Sequence, residues 1–177
     1  MNSIYSDIAL RQALHRLYVA NFEVLKEFPN SFDDNHATRM LTSLMGSRPW
    51  SWRVVGITPA ALELFAENDF QKPVRKIQRG HRSARVDTAR QLFNRPKPFE
   101  LDEFFDIFLK RDETVLMATP ENPARSSRPF PKFIPIDLAA EVFPCASLVG
   151  WTHRKQEVEF LRALHERYKK EGIPLIN

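Results

Sequence analysis

Apolar residues recur with helical spacing in several separate stretches of this 177-residue chain, and only short stretches between them have the composition of strands. One such stretch carries Leu101, Phe104, Phe105, Phe108 and Leu109, a spacing that places all five on one face of a helix. Comparable patterns predict further helices over 1–28, 35–44, 60–68, 83–94 and 154–170. The sequence therefore predicts a helix-rich α+β fold with a small β-sheet.

The stretches that predict strands are short. Residues 50–57 and 114–119 are rich in aromatic and β-branched side chains, 73–78 is an extended segment closed by Gly80, and 133–136 is a further candidate. No repeat and no long linker divides the chain, so we expect a single domain over 1–177. Within it, 1–70 would supply N-terminal helices and a strand, 71–136 a basic segment, and 137–177 the C-terminal helix.

The composition excludes several classes of protein. Hydrophobic residues make up 43% and charged residues 27%, which is typical of globular chains, and no apolar run reaches the roughly 18 residues that cross a bilayer. The polar N-terminus lacks the pattern of a signal peptide. A single cysteine, Cys145, excludes an internal disulfide and a cysteine-based zinc site. We therefore expect a cytoplasmic protein without a membrane partner.

The charges are unevenly distributed along the chain. Cations are concentrated between residues 72 and 95, whereas residues 100–113 are mainly acidic. Because clustered cations attract phosphate, the basic block predicts a nucleic-acid partner, DNA or RNA. The residues expected to contact the nucleic acid are Arg75, Lys76, Arg79, Arg82, Arg85 and Arg90. Two alternatives remain open: the basic and acidic blocks pair with each other on an ordinary surface, or they bind complementary partner proteins.

A candidate general base lies within the basic block. His81 follows a predicted strand and Gly80, and arginines stand on both sides of it. Hydrolysis of a phosphodiester needs a base that deprotonates water and cations that hold the phosphate, and a metal usually stabilises the leaving oxygen. A histidine at this position can direct its ring into a cleft while Arg79 and Arg82 hold phosphate oxygens.

A second group of polar side chains follows the strand predicted over 114–119. Glu121 and Asn122 come directly after it, in a turn that begins at Pro120. Carboxylate and amide oxygens are the hard ligands that Mg²⁺ and Mn²⁺ prefer. These two residues are therefore candidate metal ligands.

Both strings resemble parts of one nuclease superfamily. The string 78–81, Gln-Arg-Gly-His, is similar to the Asp-Arg-Gly-His motif of the nonspecific branch of the ββα-metal, or His-Me finger, nucleases, although Gln78 replaces an acidic residue. The string 116–122, Leu-Met-Ala-Thr-Pro-Glu-Asn, is similar to the strand-to-helix end of the HNH homing endonucleases of the same superfamily, where a Glu-Asn pair follows Ala/Val-Thr.

The resemblance implies a ββα-metal finger within 71–136, with the helices around residues 83–110 inserted in it. It further implies that His81 is the general base and that Asn122 lies beside one Mg²⁺ or Mn²⁺ ion, with Glu121 or Asp112 helping to hold it. Asn94, on the helix that follows His81, is the second candidate for this asparagine. The expected function is metal-dependent hydrolysis of DNA or RNA. The alternative is a non-catalytic nucleic-acid-binding or regulatory module that uses the same basic segment.

Overall fold

A computed structural model describes residues 4–46, 48, 50–73, 75–122, 129–146 and 150–177. Within these ranges the chain forms six α-helices and a four-stranded mixed sheet, which confirms the α+β fold. The chain divides into two compact units, and each is built from two separate stretches of sequence. No helix in the described ranges is long and apolar enough to cross a membrane.

Unit 1 comprises Met1–Ser51 and Ser83–Asp112. It contains four helices: α1 (Ile8–Glu27), α2 (Asp34–Met45), α4 (Arg85–Phe93) and α5 (Leu101–Arg111). The three phenylalanines of α5 are fully buried, as their spacing predicts, and Phe104 stacks on Tyr18 with 4.3 Å between ring centroids. The apolar spacing within 1–28 also predicts a buried Leu17, and this was wrong: Leu17 is exposed, and Leu14, Tyr18 and Phe22 form the buried face instead.

Side chains near the ends of the unit 1 helices explain where α1 and α2 begin. The carboxylate of Asp7 accepts a hydrogen bond from the backbone N–H of Leu10 at the start of α1. At α2, the carboxylate of Asp33 accepts from the backbone N–H groups of Asn35 and His36. Its bonds to the backbone N–H and then to the ring of His36 lower the pKa of Asp33 to about 2.

Unit 2 comprises Trp52–Arg82 and Glu113–Asn177. It contains strands β1 (Arg53–Ile57), β2 (Ile77–His81), β3 (Glu113–Ala118) and β4 (Ile134–Pro135), together with helices α3 (Pro59–Ala66) and α6 (Lys155–Glu171). Thr58 is the N-cap of α3 with Pro59 in its first turn, and Gly172 ends α6 in a left-handed conformation (φ 62°), as the sequence predicts.

The strand order in the sheet is β2-β3-β1-β4. Strands β1 and β3 are parallel, whereas β2 is antiparallel to β3, and β4 is antiparallel to β1. One core cluster contains residues of β1, β2 and β3 together with Leu62 and Phe65 of α3 and Leu161 and Leu164 of α6. The strand order places β2 at one edge of the sheet. Strand β2 includes Gly80, whereas the sequence predicted that the extended segment ends at this glycine.

Helices α4 and α5 lie in the chain between β2 and β3, so two neighbouring antiparallel strands are separated in sequence by a two-helix insertion. A single turn of 3-10 helix, Thr119–Glu121, follows β3. The sequence also predicts a proline-rich loop over 120–131, and residues 123–128 of it lie outside the described residues.

Candidate nucleic-acid interface

The net charge of +4 belongs entirely to unit 2. The stretches that form unit 2 contain 15 Lys and Arg against 11 Asp and Glu, whereas those of unit 1 contain 11 against 11. A phosphate backbone is attracted by a local excess of cations rather than by cations that acidic neighbours neutralise. The excess of cations therefore lies in unit 2.

Two of the predicted cations stand exposed immediately before β2. The side chains of Arg75 and Lys76 make no ion pair within the described part of the chain. Their backbone is held in place by Thr119: its N–H donates to the carbonyl of Lys76 (2.9 Å) and its hydroxyl to the carbonyl of Arg75 (3.1 Å). Arg75 has a left-handed backbone (φ 60°), which is uncommon for a residue with a side chain. This turn presents both cations to solvent on a fixed backbone.

Arg79 occupies a different environment, because its side chain is folded into unit 2. The residue is only 6% exposed, and its guanidinium carbon lies 4.7 Å from the centroid of the Trp52 ring. One guanidinium nitrogen donates to the Trp52 carbonyl (3.4 Å), and the other lies 3.8 Å from Sγ of Cys145. Arg79 is therefore a buried, stacked cation rather than a surface contact for phosphate.

His81 lies at the end of β2 against the same tryptophan. Its ring centroid is 4.2 Å from that of Trp52, and both ring nitrogens are inaccessible to solvent. A general base must have a water molecule within hydrogen-bonding distance of one ring nitrogen. In this arrangement neither ring nitrogen of His81 contacts solvent.

Trp52 thus contacts both Arg79 and His81 at this end of the sheet, and its backbone has an uncommon conformation. It has φ 56°, which a bulky residue adopts only where its surroundings hold it. Its carbonyl accepts hydrogen bonds from Arg79 and from the hydroxyl of Thr114 (3.0 Å). The sequence places Trp52 in the strand predicted over 50–57, on the same face as Trp50, where core packing is favoured over base stacking. No local pattern indicates its contacts, since Arg79 and His81 are 27 and 29 positions further along the chain.

Arg82 follows β2 and forms an ion pair with an acidic neighbour. One guanidinium nitrogen donates to Oε2 of Glu113 (2.9 Å), and another donates to the backbone oxygen of Asn177 (3.1 Å). Oε1 of Glu113 lies 3.7 Å from Arg53. The side chain of Arg82 remains 39% exposed, so it is partly neutralised but still accessible.

The last two predicted contacts, Arg85 and Arg90, lie on α4 in unit 1. Arg85 donates to Asp112 (2.7 Å), whose side chain is buried, and Arg90 donates to Asp34 (2.7 Å) and Asp87 (3.1 Å). Pairing between the basic and acidic blocks, left open as an alternative, occurs in the Arg85–Asp112 pair and in the Arg82–Glu113 pair.

The two candidate metal ligands lie beyond the opposite end of the β2–β3 ladder from His81. His81 pairs with Thr114 and Ile77 pairs with Ala118, so four residue steps, about 13 Å, separate the two ends. Glu121 is held near Ala118, because its Oε2 accepts the N–H of Ala118 (2.9 Å). Asn122 follows it with a half-buried side chain. The structure therefore does not bring these residues together with His81.

The carboxylate of Glu121 has a structural role in this arrangement. The Oε2 atom that accepts from Ala118 also accepts the hydroxyl of Thr58 (2.6 Å), which in turn accepts the N–H of Ala61 in the first turn of α3. Asp112 is engaged with Arg85. No group of three or more His, Cys, Asp or Glu side chains in the described ranges is arranged to hold a metal ion.

Asn94, the second candidate asparagine, is the C-cap of α4. Its backbone N–H donates to the carbonyl of Arg90 (2.8 Å), and its side-chain nitrogen lies 3.4 Å from Oδ1 of Asp34. These contacts account for its position within unit 1.

Comparisons with known proteins neither support nor oppose the resemblance. No protein-family model, no curated protein and no solved structure matches the chain significantly.

Proposed function

We propose that this protein binds DNA or RNA through unit 2 and that Arg75 and Lys76 are its principal phosphate contacts. The observation that carries the proposal is the distribution of charge: unit 2 holds the whole net charge, and these two cations are exposed and free of acidic partners within the described ranges. Contacts to phosphate confer affinity without reading sequence, so binding is expected to depend strongly on salt and weakly on base composition.

The proposal is tested by measuring the affinity for a labelled duplex over a series of salt concentrations. Each phosphate contact with duplex DNA contributes about 0.9 to the slope of log K against log salt, so changing Arg75 and Lys76 together to alanine should reduce the slope by roughly 1.8. The matched control is Arg39→Ala with Lys97→Ala, which removes the same charge from exposed positions of unit 1.

The control distinguishes an effect of where the two cations lie from an effect of the net charge of the protein. An unchanged slope for the control, together with the reduced slope for the unit 2 variant, supports the proposal. Equal reductions in both would mean that only total charge matters, and the assignment of the interface to Arg75 and Lys76 would be wrong. Absence of binding at low salt by the unchanged protein, to DNA and RNA alike, would refute the proposed function.

A metal-dependent nuclease is the second candidate, and one observation favours it. The strand that carries His81 is antiparallel to the strand that precedes Glu121 and Asn122, and two helices are inserted between them, which is the order that the resemblance to the His-Me finger nucleases implies. In this candidate function the imidazole of His81 would leave Trp52 to reach water, and Arg82, which remains accessible, would lie beside the phosphate.

The nuclease is tested with plasmid DNA and RNA in the presence of Mg²⁺, Mn²⁺ or a chelator. Loss of a general base lowers the rate by about 10²- to 10⁴-fold, so His81→Ala should abolish metal-dependent cleavage while leaving the salt slope of binding unchanged. If the unchanged protein binds but cleaves neither substrate with any of these ions, the nuclease is excluded and the binding function stands.

A further inference from the structure

Helix α1 has a second apolar face in addition to the one that packs into unit 1. Leu17, Val24 and Phe28 are 56%, 38% and 48% exposed. At 100° per residue Leu17 and Val24 lie within about 20° of each other around the helix axis, and Phe28 is the C-cap residue one turn beyond Val24. Ala13 and Ala20 lie on the same side, whereas the buried face carries Leu14, Tyr18 and Phe22. We call the row formed by Leu17, Val24 and Phe28 the exposed stripe.

A row of this kind differs from the scattered apolar residues of an ordinary surface. Single exposed leucines need no explanation, but apolar side chains aligned along one helix face are characteristic of interaction sites. The alanines beside the stripe and Asn21 near its middle are small, so a second helix can approach closely.

Charged residues beside the stripe indicate which partner fits. Arg16, Glu23 and Glu27 are exposed, lie within about 40° of one another along one edge of the stripe, and make no ion pair in the described part of the chain. The N-terminal half of this edge is therefore positive and the C-terminal half negative. Such an edge is complementary to a copy of itself that runs in the opposite direction. In a parallel two-fold pair this edge would instead face the opposite edge of the partner helix, so these charges would not meet one another.

We propose that two copies of this chain associate through α1, packed antiparallel about a two-fold axis near residues 20 and 21. In this register Leu17 of one copy lies against Val24 of the other, and Phe28 lies against Ala13. Arg16 then lies opposite residue 25, about 3 Å along the axis from both Glu23 and Glu27 at 1.5 Å per residue. The interface is isologous, so each contact occurs twice.

The area that two α1 helices can bury limits the expected stability of the dimer. Helix α1 has 20 residues and is about 30 Å long, and a single helix pair buries less than the roughly 800 Å² per partner of a standard stable interface. The dimer is therefore expected to exchange with monomer at micromolar concentrations. The proposal is independent of nucleic-acid binding, because α1 belongs to unit 1, whose charges balance.

Sedimentation equilibrium over a wide range of protein concentrations tests the proposal. The average mass should rise from that of one chain toward that of two, and Leu17→Glu should hold the protein at the mass of one chain. The matched control is Ile8→Glu: Ile8 is 55% exposed on the same helix, but nine residues from Leu17 and hence about 180° away around the axis. It should dimerise like the unchanged protein.

Charge reversal tests the antiparallel direction. Because an exposed ion pair contributes modestly and this one occurs twice, Arg16→Glu should raise the dimer dissociation constant by roughly 2- to 30-fold. Adding Glu23→Arg and Glu27→Arg to that variant should restore dimerisation, since opposite charges face each other again.

Three results would overturn the proposal. The first is an unchanged protein that stays monomeric at every concentration. The second is an equal effect of Ile8→Glu and Leu17→Glu, and the third is a triple charge variant that associates no better than Arg16→Glu. Circular dichroism of each variant establishes that α1 is still folded, so a loss of association is not mistaken for unfolding.

Discussion

The hydrogen-bond network between Thr58 and Glu121 allows a quantitative test of what Glu121 does. The Thr58 hydroxyl accepts the N–H of Ala61 and donates to Oε2 of Glu121, which also accepts the N–H of Ala118. The network connects the first turn of α3 to the end of β3. If its role is structural, removing either side chain should destabilise the protein and leave any binding of Mg²⁺ unchanged.

The expected magnitude follows from the kind of bond. A hydrogen bond to a charged group contributes about 1.5–3 kcal/mol, and the half-buried position of Glu121 favours the lower part of that range. Glu121→Ala should therefore cost roughly 1–2 kcal/mol. Thr58→Val should cost about as much, because it also removes the N-cap of α3. In a chain of this size each kcal/mol corresponds to about 2–4 °C in Tm.

A double-mutant cycle isolates the bond between the two side chains. Unfolding by urea is measured for each single variant and for the pair, and a coupling energy of about 1 kcal/mol is expected for residues in direct contact. Thr58→Ser keeps the hydroxyl and serves as the control, which should behave nearly like the unchanged protein.

If the destabilisation of the double variant equalled the sum for the two single variants, the side chains of Thr58 and Glu121 would be energetically independent. The proposed stabilising hydrogen bond between them would then be refuted. Calorimetric titration of Mg²⁺ or Mn²⁺ supplies the second readout. Binding that is present in the unchanged protein and lost in Glu121→Gln would instead assign Glu121 to a metal site.

Two further predictions concern packing in the two units. A Cβ at Gly56 would lie 2.1 Å from the ring of Phe133 and 3.0 Å from a backbone oxygen, so Gly56→Ala should cost roughly 1–3 kcal/mol. At Gly80 the nearest atoms to the new Cβ would belong to the unbranched side chain of Met117 rather than to backbone, so Gly80→Ala should change Tm less; similar losses for both variants in thermal melts would contradict this expectation. Phe105 is fully buried, so Phe105→Ala should cost roughly 3–5 kcal/mol by denaturant titration, and an unchanged stability would mean that its ring does not pack in the core.

Much of the secondary structure was predictable because its causes are local. The phenylalanine spacing that predicts α5 concerns residues one or two helical turns apart, and Thr58-Pro59 marks the start of α3 through backbone groups only a few positions away. Local spacing did not predict the exposure of Leu17. Its position fits the apolar pattern of α1, but the buried face of the helix is the one that carries Leu14, Tyr18 and Phe22.

The environment of each cation was not predictable in the same way. Arg75, Arg79 and Arg85 look alike in the sequence, but one is exposed, one is stacked on Trp52, and one is paired with Asp112. The partners of the last two are 27 residues away in sequence. An arginine binds phosphate, packs or forms an internal ion pair according to what surrounds it, and that depends on contacts between distant parts of the chain.

Short-range periodicity, capping residues and composition were thus enough to establish a helix-rich α+β chain with a basic middle segment, since each acts over a few residues. The tertiary structure alone decided that this segment is divided between two units and that the net charge belongs to one of them. It also decided that His81 and Glu121 lie toward opposite ends of a ladder. Strand register causes that separation, because antiparallel pairing places the end of one strand beside the beginning of its neighbour, and register is set by burial across the whole sheet.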